Sequence, residues 1–99
     1  MGSINYKTYS LSVTTEAQEL ELTEGSYARR CEYIQIRNTG STPVKVVLAT
    51  PTDRDIDFTS EGKTITLSAN ARFDDSLTVE KILYKTDSGV SNLEVYVSW

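Results

Sequence analysis

The sequence contains no histidine and only one cysteine, Cys31. Histidine is the commonest general base, a usual zinc ligand and the partner that activates serine and cysteine nucleophiles. A single cysteine excludes a disulfide within the chain, an iron–sulfur site and a zinc knuckle. These absences remove most familiar catalytic and metal sites. They are typical of a protein that uses no cofactor and folds in reducing surroundings.

Long hydrophobic runs and clustered positive charge are also missing. The longest apolar stretch is 46–49, far below the roughly 18 residues of a membrane span. Residues 1–20 lack the apolar centre of a signal peptide. The formal net charge is −4 and the longest basic run is Arg29-Arg30, whereas a surface that follows nucleic-acid phosphates is basic. We therefore expect no nucleic-acid partner and no membrane partner.

What the sequence does contain is a series of short β-type runs separated by turn signals. Thr, Val and Ile recur throughout, and their branched side chains suit strands. The residues 38–43 carry several independent turn signals. No repeat and no convincing helix interrupts the series. The sequence predicts one all-β domain over residues 1–99, an antiparallel β-sandwich of about eight strands. A jelly roll and an immunoglobulin-like sandwich both satisfy this pattern.

Alternation of apolar residues predicts where the strands lie and which side chains face inward. Phase switches predict a bulge between Tyr6 and Tyr9 and another between Val79 and Ile82. The segment 69–75 is predicted as a loop that Phe73 closes over the end of the sandwich. A helical turn before Gln18 is the alternative to a strand beginning there. The predicted strands cover 4–14, 18–23, 27–37, 44–48, 55–59, 64–68, 77–84 and 93–99, and residues 24–26 are predicted as a turn.

Asp53, Asp55 and Asp57 place three carboxylates at alternate positions, and hard oxygen ligands of this kind bind Ca²⁺. The spacing opens like an EF-hand loop and then departs from it. Phe58 stands where that loop needs glycine, and Thr64 stands where it needs a bidentate glutamate. An edge strand whose charges prevent further pairing is the alternative that we favour. We assign no metal and keep the three aspartates only as a weak calcium candidate.

No catalytic residue emerges from the remaining reactive side chains. Asp74 and Asp75 are adjacent carboxylates of the type used in acid–base catalysis, but adjacent aspartates are also common in turns. Cys31 follows two arginines, which favour a reactive thiolate, yet no base is present to complete the site. Alternation places Cys31 on the face of Tyr33, as a small packed residue. The sequence therefore predicts a protein that is not an enzyme.

The aromatic residues are the best candidates for an interface. Tyr96 lies in the opposite phase to the apolar residues of the last predicted strand, so its ring is expected outside the core. Tyr33 and Trp99 are the other interface candidates, although Trp99 is in phase with the core and is also expected to anchor the last strand. Exposed tyrosines are also suited to stacking against sugars, which leaves a glycan platform as an alternative to packing or a subunit contact.

Two stretches together resemble a known family. The first covers 33–41 and the predicted strand 44–48, and it contains an I-x-I-x-N-T-G hairpin at 34–40. The second runs from 77 to 99 and contains a D-S-G…V-x-V-S-W carboxyl end at 87–99. In combination they are similar to small β-sandwich structural proteins from the virions of tailed bacteriophages, and they cover about half of the chain. The family pattern designates no catalytic residues.

The resemblance implies a head decoration or cement protein on the outside of a capsid. Such a protein binds the major capsid protein, acts as a trimer or dimer, and stabilises the head by bridging capsomers. It resides in the host cytoplasm during assembly and on the virion exterior afterwards. The alternative is a non-catalytic carbohydrate-binding or adhesion module of a phage tail or of an enzyme.

Overall fold

The structure of the chain is a computed structural model that describes residues 6–22 and 31–99. The predicted turn at 24–26 and the predicted strand residues 4–5, 23 and 27–30 lie outside the described residues. In the part that is described, no helix has the length and hydrophobicity needed to cross a bilayer. The regular structure of these two ranges consists of the strands β1 (Tyr6–Val13), β2 (Gln18–Glu21), β3 (Tyr33–Asn38), β4 (Val44–Ala49), β5 (Ile65–Leu67), β6 (Arg72–Asp75), β7 (Lys81–Lys85) and β8 (Ser91–Ser98).

The strands form two four-stranded antiparallel sheets. Sheet A has the order β1-β8-β3-β6, and sheet B has the order β2-β7-β4-β5. The pairs β1–β8, β2–β7, β3–β6 and β4–β5 are those of one long antiparallel hairpin. A hairpin of this kind wrapped around a sandwich is a jelly roll. The predicted all-β sandwich is confirmed, and the strand order excludes the immunoglobulin-like alternative.

The first strand runs straight through the predicted bulge. β1 keeps one register with β8, from Tyr6 opposite Ser98 to Val13 opposite Ser91. Tyr9 is half buried and Val13 is buried, whereas Tyr6 is 64% exposed. The bulge prediction is wrong because Tyr6 belongs to the outer face of sheet A, where an aromatic residue interrupts the apolar alternation without shifting the backbone.

The main core lies between the two sheets and is built from alternate residues of the central strands. Burial of apolar surface of this kind is the dominant favourable term in folding. The inward faces predicted for the third, fourth and last strands are confirmed. The fully buried residues of these strands include Ile34, Ile36, Val44, Val46, Leu93, Val95 and Val97.

The segment between β4 and β5 folds back over the outer face of sheet B. Residues 55–59, predicted as a strand, are mostly turns. Ile56 is nevertheless buried, in a second small cluster with Val47 and Ala49. Phe58 and Leu83 pack against this cluster. The strand prediction is wrong because Ile56 is buried by a loop that lies on the sheet and not by a strand within it.

Two expectations for the second half of the chain are also wrong. The predicted loop at 69–75 contains strand β6, in which Phe73 lies opposite Ile36 and packs against the main core. The phase switch between Val79 and Ile82 arises because β7 begins only at Lys81, after an irregular segment, so no bulge is needed.

Candidate interaction surface

The outer face of sheet A carries a group of three tyrosines, named here the tyrosine face: Tyr6, Tyr33 and Tyr96. The register places Tyr6 and Tyr33 on opposite sides of Ser98, with Tyr96 two residues earlier on the same strand. The Tyr6 and Tyr96 rings stack, with centroids 5.7 Å apart and planes inclined by 21°. Tyr33 meets Tyr96 edge to face at 6.1 Å. Both geometries are favourable for aromatic pairs.

A shallow groove continues from Tyr96 along the same outer face and has a volume of about 240 Å³. Cross-strand rows supply its walls. Thr8, Tyr96 and Gln35 form one row, and Ser10, Glu94 and Arg37 form the next. The groove therefore joins an aromatic end to hydroxyl, amide, carboxylate and guanidinium groups.

The outer faces of the two sheets differ in how the chain covers them. On sheet B, the segment between β4 and β5 covers the central strands through Ile56 and Phe58. The ammonium group of Lys85 lies over the Phe58 ring at 4.9 Å, and Arg54 forms an ion pair with Glu80 at 2.9 Å. Within residues 6–22 and 31–99, no such segment covers the tyrosine face.

The interface candidates taken from the sequence fall in two places. Tyr33 and Tyr96 are half buried and meet on the tyrosine face. Trp99 is half buried against the main core, at the end of the last strand. Sequence reasoning missed Tyr6 as a member of this face, because its phase was attributed to a bulge. Tyr6 could have been found only by knowing that the start of β1 pairs with the end of β8. A single sequence does not show that pairing.

The calcium candidates Asp53, Asp55 and Asp57 lie in the segment between β4 and β5, where Asp53 and Asp57 form local contacts and Asp55 is exposed. The Asp57 carboxylate accepts a hydrogen bond from the Thr59 amide at 2.8 Å and another from the Thr59 hydroxyl. These bonds lower the pKa of Asp57 below its ordinary value. Asp53 forms an ion pair with Lys63 at 3.6 Å. Across the described ranges, no three His, Cys, Asp or Glu side chains form a group that could hold a metal ion.

Asp74 and Asp75 do not form a carboxylate pair. They are consecutive residues of β6, so their side chains project to opposite faces of the sheet. Asp74 forms an ion pair with Arg72 at 3.1 Å. The turn expected at these residues is therefore wrong, and the geometry does not join the two carboxyl groups.

Cys31 is buried and packs in the main core, on the opposite side from that predicted. It precedes the regular part of β3, so strand alternation does not apply to it. Its sulfur accepts a hydrogen bond from the Val79 amide at 3.3 Å and donates towards the Val79 carbonyl at 3.4 Å. Burial raises the pKa of the Cys31 thiol above its ordinary value. These surroundings favour an inert thiol and not a nucleophile.

Comparison with known proteins gives a likeness of fold. No model of a protein family matches the chain, and no curated protein is significantly similar to it. Among solved structures, PirA matches over 93% of both chains, with a TM-score of 0.53 and 8% identity. A structure of Bacillus endospore appendages, described as a novel family of disulfide-linked pili, matches over 98% of this chain and 86% of that one. Its TM-score is 0.52 and its identity 9%. At such identities the likeness concerns the fold alone, and the predicted relation to phage virions stays a prediction.

Proposed function

We propose that this chain is a non-catalytic structural protein that works by binding, as a homo-oligomeric component of a larger assembly. The observation that carries this proposal is that the chain covers the outer face of one sheet and leaves that of the other sheet open. One outer face is covered by the chain's own loop, and the other presents three tyrosines and a polar groove. Tyrosine is enriched at protein interfaces because its ring buries a large area while its hydroxyl keeps a polar contact.

The chemistry of the chain supports binding over turnover. The sequence has no histidine, and its one cysteine is buried in the core. The adjacent carboxylates of β6 diverge, and Asp53 and Asp57 between β4 and β5 are engaged locally. None of these groups forms a nucleophile with a base.

The more specific form of the proposal is a phage head decoration protein on the virion exterior, with the major capsid protein as its partner. The resemblance within 33–48 and 77–99 supports it, and the jelly roll is a fold used by viral capsid and lectin domains. One fold neighbour belongs to pili that are linked by disulfides. Cys31 is buried in this chain, so its assembly would be non-covalent. Weak contacts repeated over a lattice would then supply the binding strength.

Quantitative mass spectrometry of purified phage particles from the source of this chain tests the specific form. A copy number of the order of the major capsid protein is the expected result, whereas a handful of copies per particle indicates a tail component. Rebinding of labelled protein to stripped particles adds a test of the surface. Tyr96→Ala should weaken rebinding, and Thr66→Ala on the outer face of sheet B should leave it unchanged. Equal rebinding by both variants would show that the tyrosine face does not contact the particle.

The second candidate function is carbohydrate binding, and the groove beside Tyr96 favours it. Aromatic rings stack on the apolar faces of sugars, while hydroxyl, amide and charged groups bind sugar hydroxyls. Arg37 and Glu94 are cross-strand neighbours, yet no ion pair joins them in the described part of the chain, which leaves both for a ligand. A glycan array distinguishes the two functions. Binding that is lost on Arg37→Ala and Tyr96→Ala supports this candidate, and an array without signal counts against it.

A further inference from the structure

The four edge strands of the sandwich differ in length and charge. β2, β5 and β6 contain 4, 3 and 4 residues, and short or charged edges of this kind resist pairing with other chains. β6 carries Arg72, Asp74 and Asp75, and β2 carries two glutamates. β1 is an edge strand of 8 residues with a single charged residue, Lys7. Within residues 6–22 and 31–99, no strand pairs with its outer side.

The hydrogen bonds of the sheet determine which backbone groups of β1 point outward. The Thr39 amide donates to the Asn92 carbonyl at 2.9 Å, so the backbone groups of Asn92 point towards β3. Backbone direction alternates along a strand, so the groups of Leu93 and Val95 point towards β1. The partners of those two residues, Leu11 and Tyr9, therefore point towards β8. The outward-pointing residues of β1 are Tyr6, Thr8, Ser10 and Ser12.

We propose that β1 pairs antiparallel with β1 of a second copy, about a twofold axis at Tyr9. In this register Thr8 lies opposite Ser10 of the other copy, and Tyr6 lies opposite Ser12. Each of these residues directs its amide and carbonyl outward, so every pair exchanges backbone hydrogen bonds. The inference rests on the proposed function and names the partner and the contact surface.

Side chains across the axis also match in this register. Opposed residues share a face, so the hydroxyls of Thr8 and Ser10 meet on the outer face, where such pairs stabilise sheets. On the inner face, Lys7 lies beside Leu11 of the other copy, which keeps the two like charges apart. Tyr9 and Leu11 are only half buried at the rim of the core, and the second copy buries them further.

A copy of the same chain is the occupant that this edge fits. β1 contains no acidic residue, so the antiparallel pair brings no opposed carboxylates together. Pairing also makes sheet A continuous across both copies and places their tyrosine faces on the same outer surface. A protein that bridges two neighbouring sites of a lattice needs one binding surface for each site, and the pair of copies presents both on the same side.

Cysteine cross-linking tests the register in the full chain carrying Cys31→Ala. A mixture of Thr8→Cys and Ser10→Cys should form a disulfide-linked dimer, because opposed residues of a hydrogen-bonded pair lie about 5.5 Å apart between Cα atoms. Each variant alone should not form this dimer, because its two cysteines, one from each copy, lie diagonally across the axis and too far apart for a disulfide. Cross-linking of Ser10→Cys alone would place the axis at Ser10 and overturn this register. The absence of any cross-link would overturn the pairing.

A second measurement keeps the pairing separate from the proposed function. Ser10→Pro removes an outward amide and leaves the β1–β8 hydrogen bonds in place. Ser10→Ala retains that amide and is the matched control. Light scattering should show association weakened by about tenfold or more for Ser10→Pro, with Ser10→Ala like the native chain. Equal association of both variants overturns the edge contact but leaves a structural oligomer. A native chain that is monomeric throughout rejects both.

Discussion

The buried side chain of Asn38 accepts a hydrogen bond from the Ser91 hydroxyl at 2.7 Å, which joins the end of β3 to the start of β8. The same amide oxygen accepts from the Gly40 amide at 3.0 Å. Its nitrogen donates to the carbonyls of Thr42 and Leu67 at 2.8 and 2.9 Å. One side chain therefore holds the turn after β3, strand β5 and strand β8 together, with all of its polar capacity used.

Replacing Asn38 with Ala should be strongly destabilising. Asn38 has no solvent exposure, so its loss leaves buried carbonyls without their donor, at a cost of about 3 kcal/mol. Urea unfolding measures the change. Thr39→Ala is the neighbouring control, because Thr39 is exposed, and it should differ from the native chain by less than about 0.5 kcal/mol. Similar stabilities for the two variants would contradict the role given to Asn38.

Gly40 should tolerate no side chain. A Cβ at this position would collide with the Ser91 Oγ and lie 2.8 Å from the Asn92 amide nitrogen. The second contact is with backbone, which cannot rotate away, so we expect Gly40→Ala to cost about 2 kcal/mol or more. Gly62→Ala is the comparison. Gly62 has a φ of 74° but open space around it, so strain alone should cost about 1 kcal/mol. Thermal unfolding that ranks the two variants in the reverse order would refute this account.

Ile56→Ala should loosen the segment that covers sheet B before it affects the whole domain. Ile56 is 6% exposed and holds that segment on Val47 and Ala49, so its truncation should cost about 2 kcal/mol. Limited trypsin digestion should then cleave faster after Arg54 and Lys63. Thr52→Ala, in the same segment but outside the cluster, should digest like the native chain. Unchanged cleavage of Ile56→Ala would show that other contacts hold the segment.

The buried thiol should make stability fall in alkaline solution. In the folded chain, burial raises the pKa of the Cys31 thiol above its ordinary value. As the pH rises, the thiol therefore loses its proton in the unfolded chain before it does so in the folded chain. Unfolding is then favoured as the pH rises above about 9. Cys31→Ala should remove this part of the decline, measured by urea unfolding between pH 8 and pH 10. Burial also raises the pKa of Tyr84, and Tyr84→Phe separates its contribution. A decline that is identical with and without Cys31 would contradict the prediction.

The strands of the main core could be predicted from sequence because their burial follows strict alternation. Ile34 and Ile36, and the apolar residues of β8, occupy every second position. Only one face of each strand can therefore point into the core. The predictions failed where tertiary contacts replaced alternation. Ile56 lies in a loop and Val79 in an irregular segment, and both are buried although neither belongs to a strand. Strand β6 was missed because Arg72, Asp74 and Asp75 have the composition of a turn.

The candidate surface was only partly predictable. Tyr96 and Tyr33 were identified because each alternates with the apolar core residues of its own strand. Their contact with Tyr6 depends on β1 and β3 both pairing with β8, and strand order does not follow from local pattern. The outward direction of the β1 amides depends on the same pairing, so no property of β1 alone indicates it.

We propose that this protein acts by assembling with copies of itself and with a larger partner. Sedimentation equilibrium of the full chain over a concentration series measures the self-association. The mass should rise with concentration to a multiple of the 11.1 kDa chain. A single species of 11.1 kDa at every concentration would show that the protein does not self-associate.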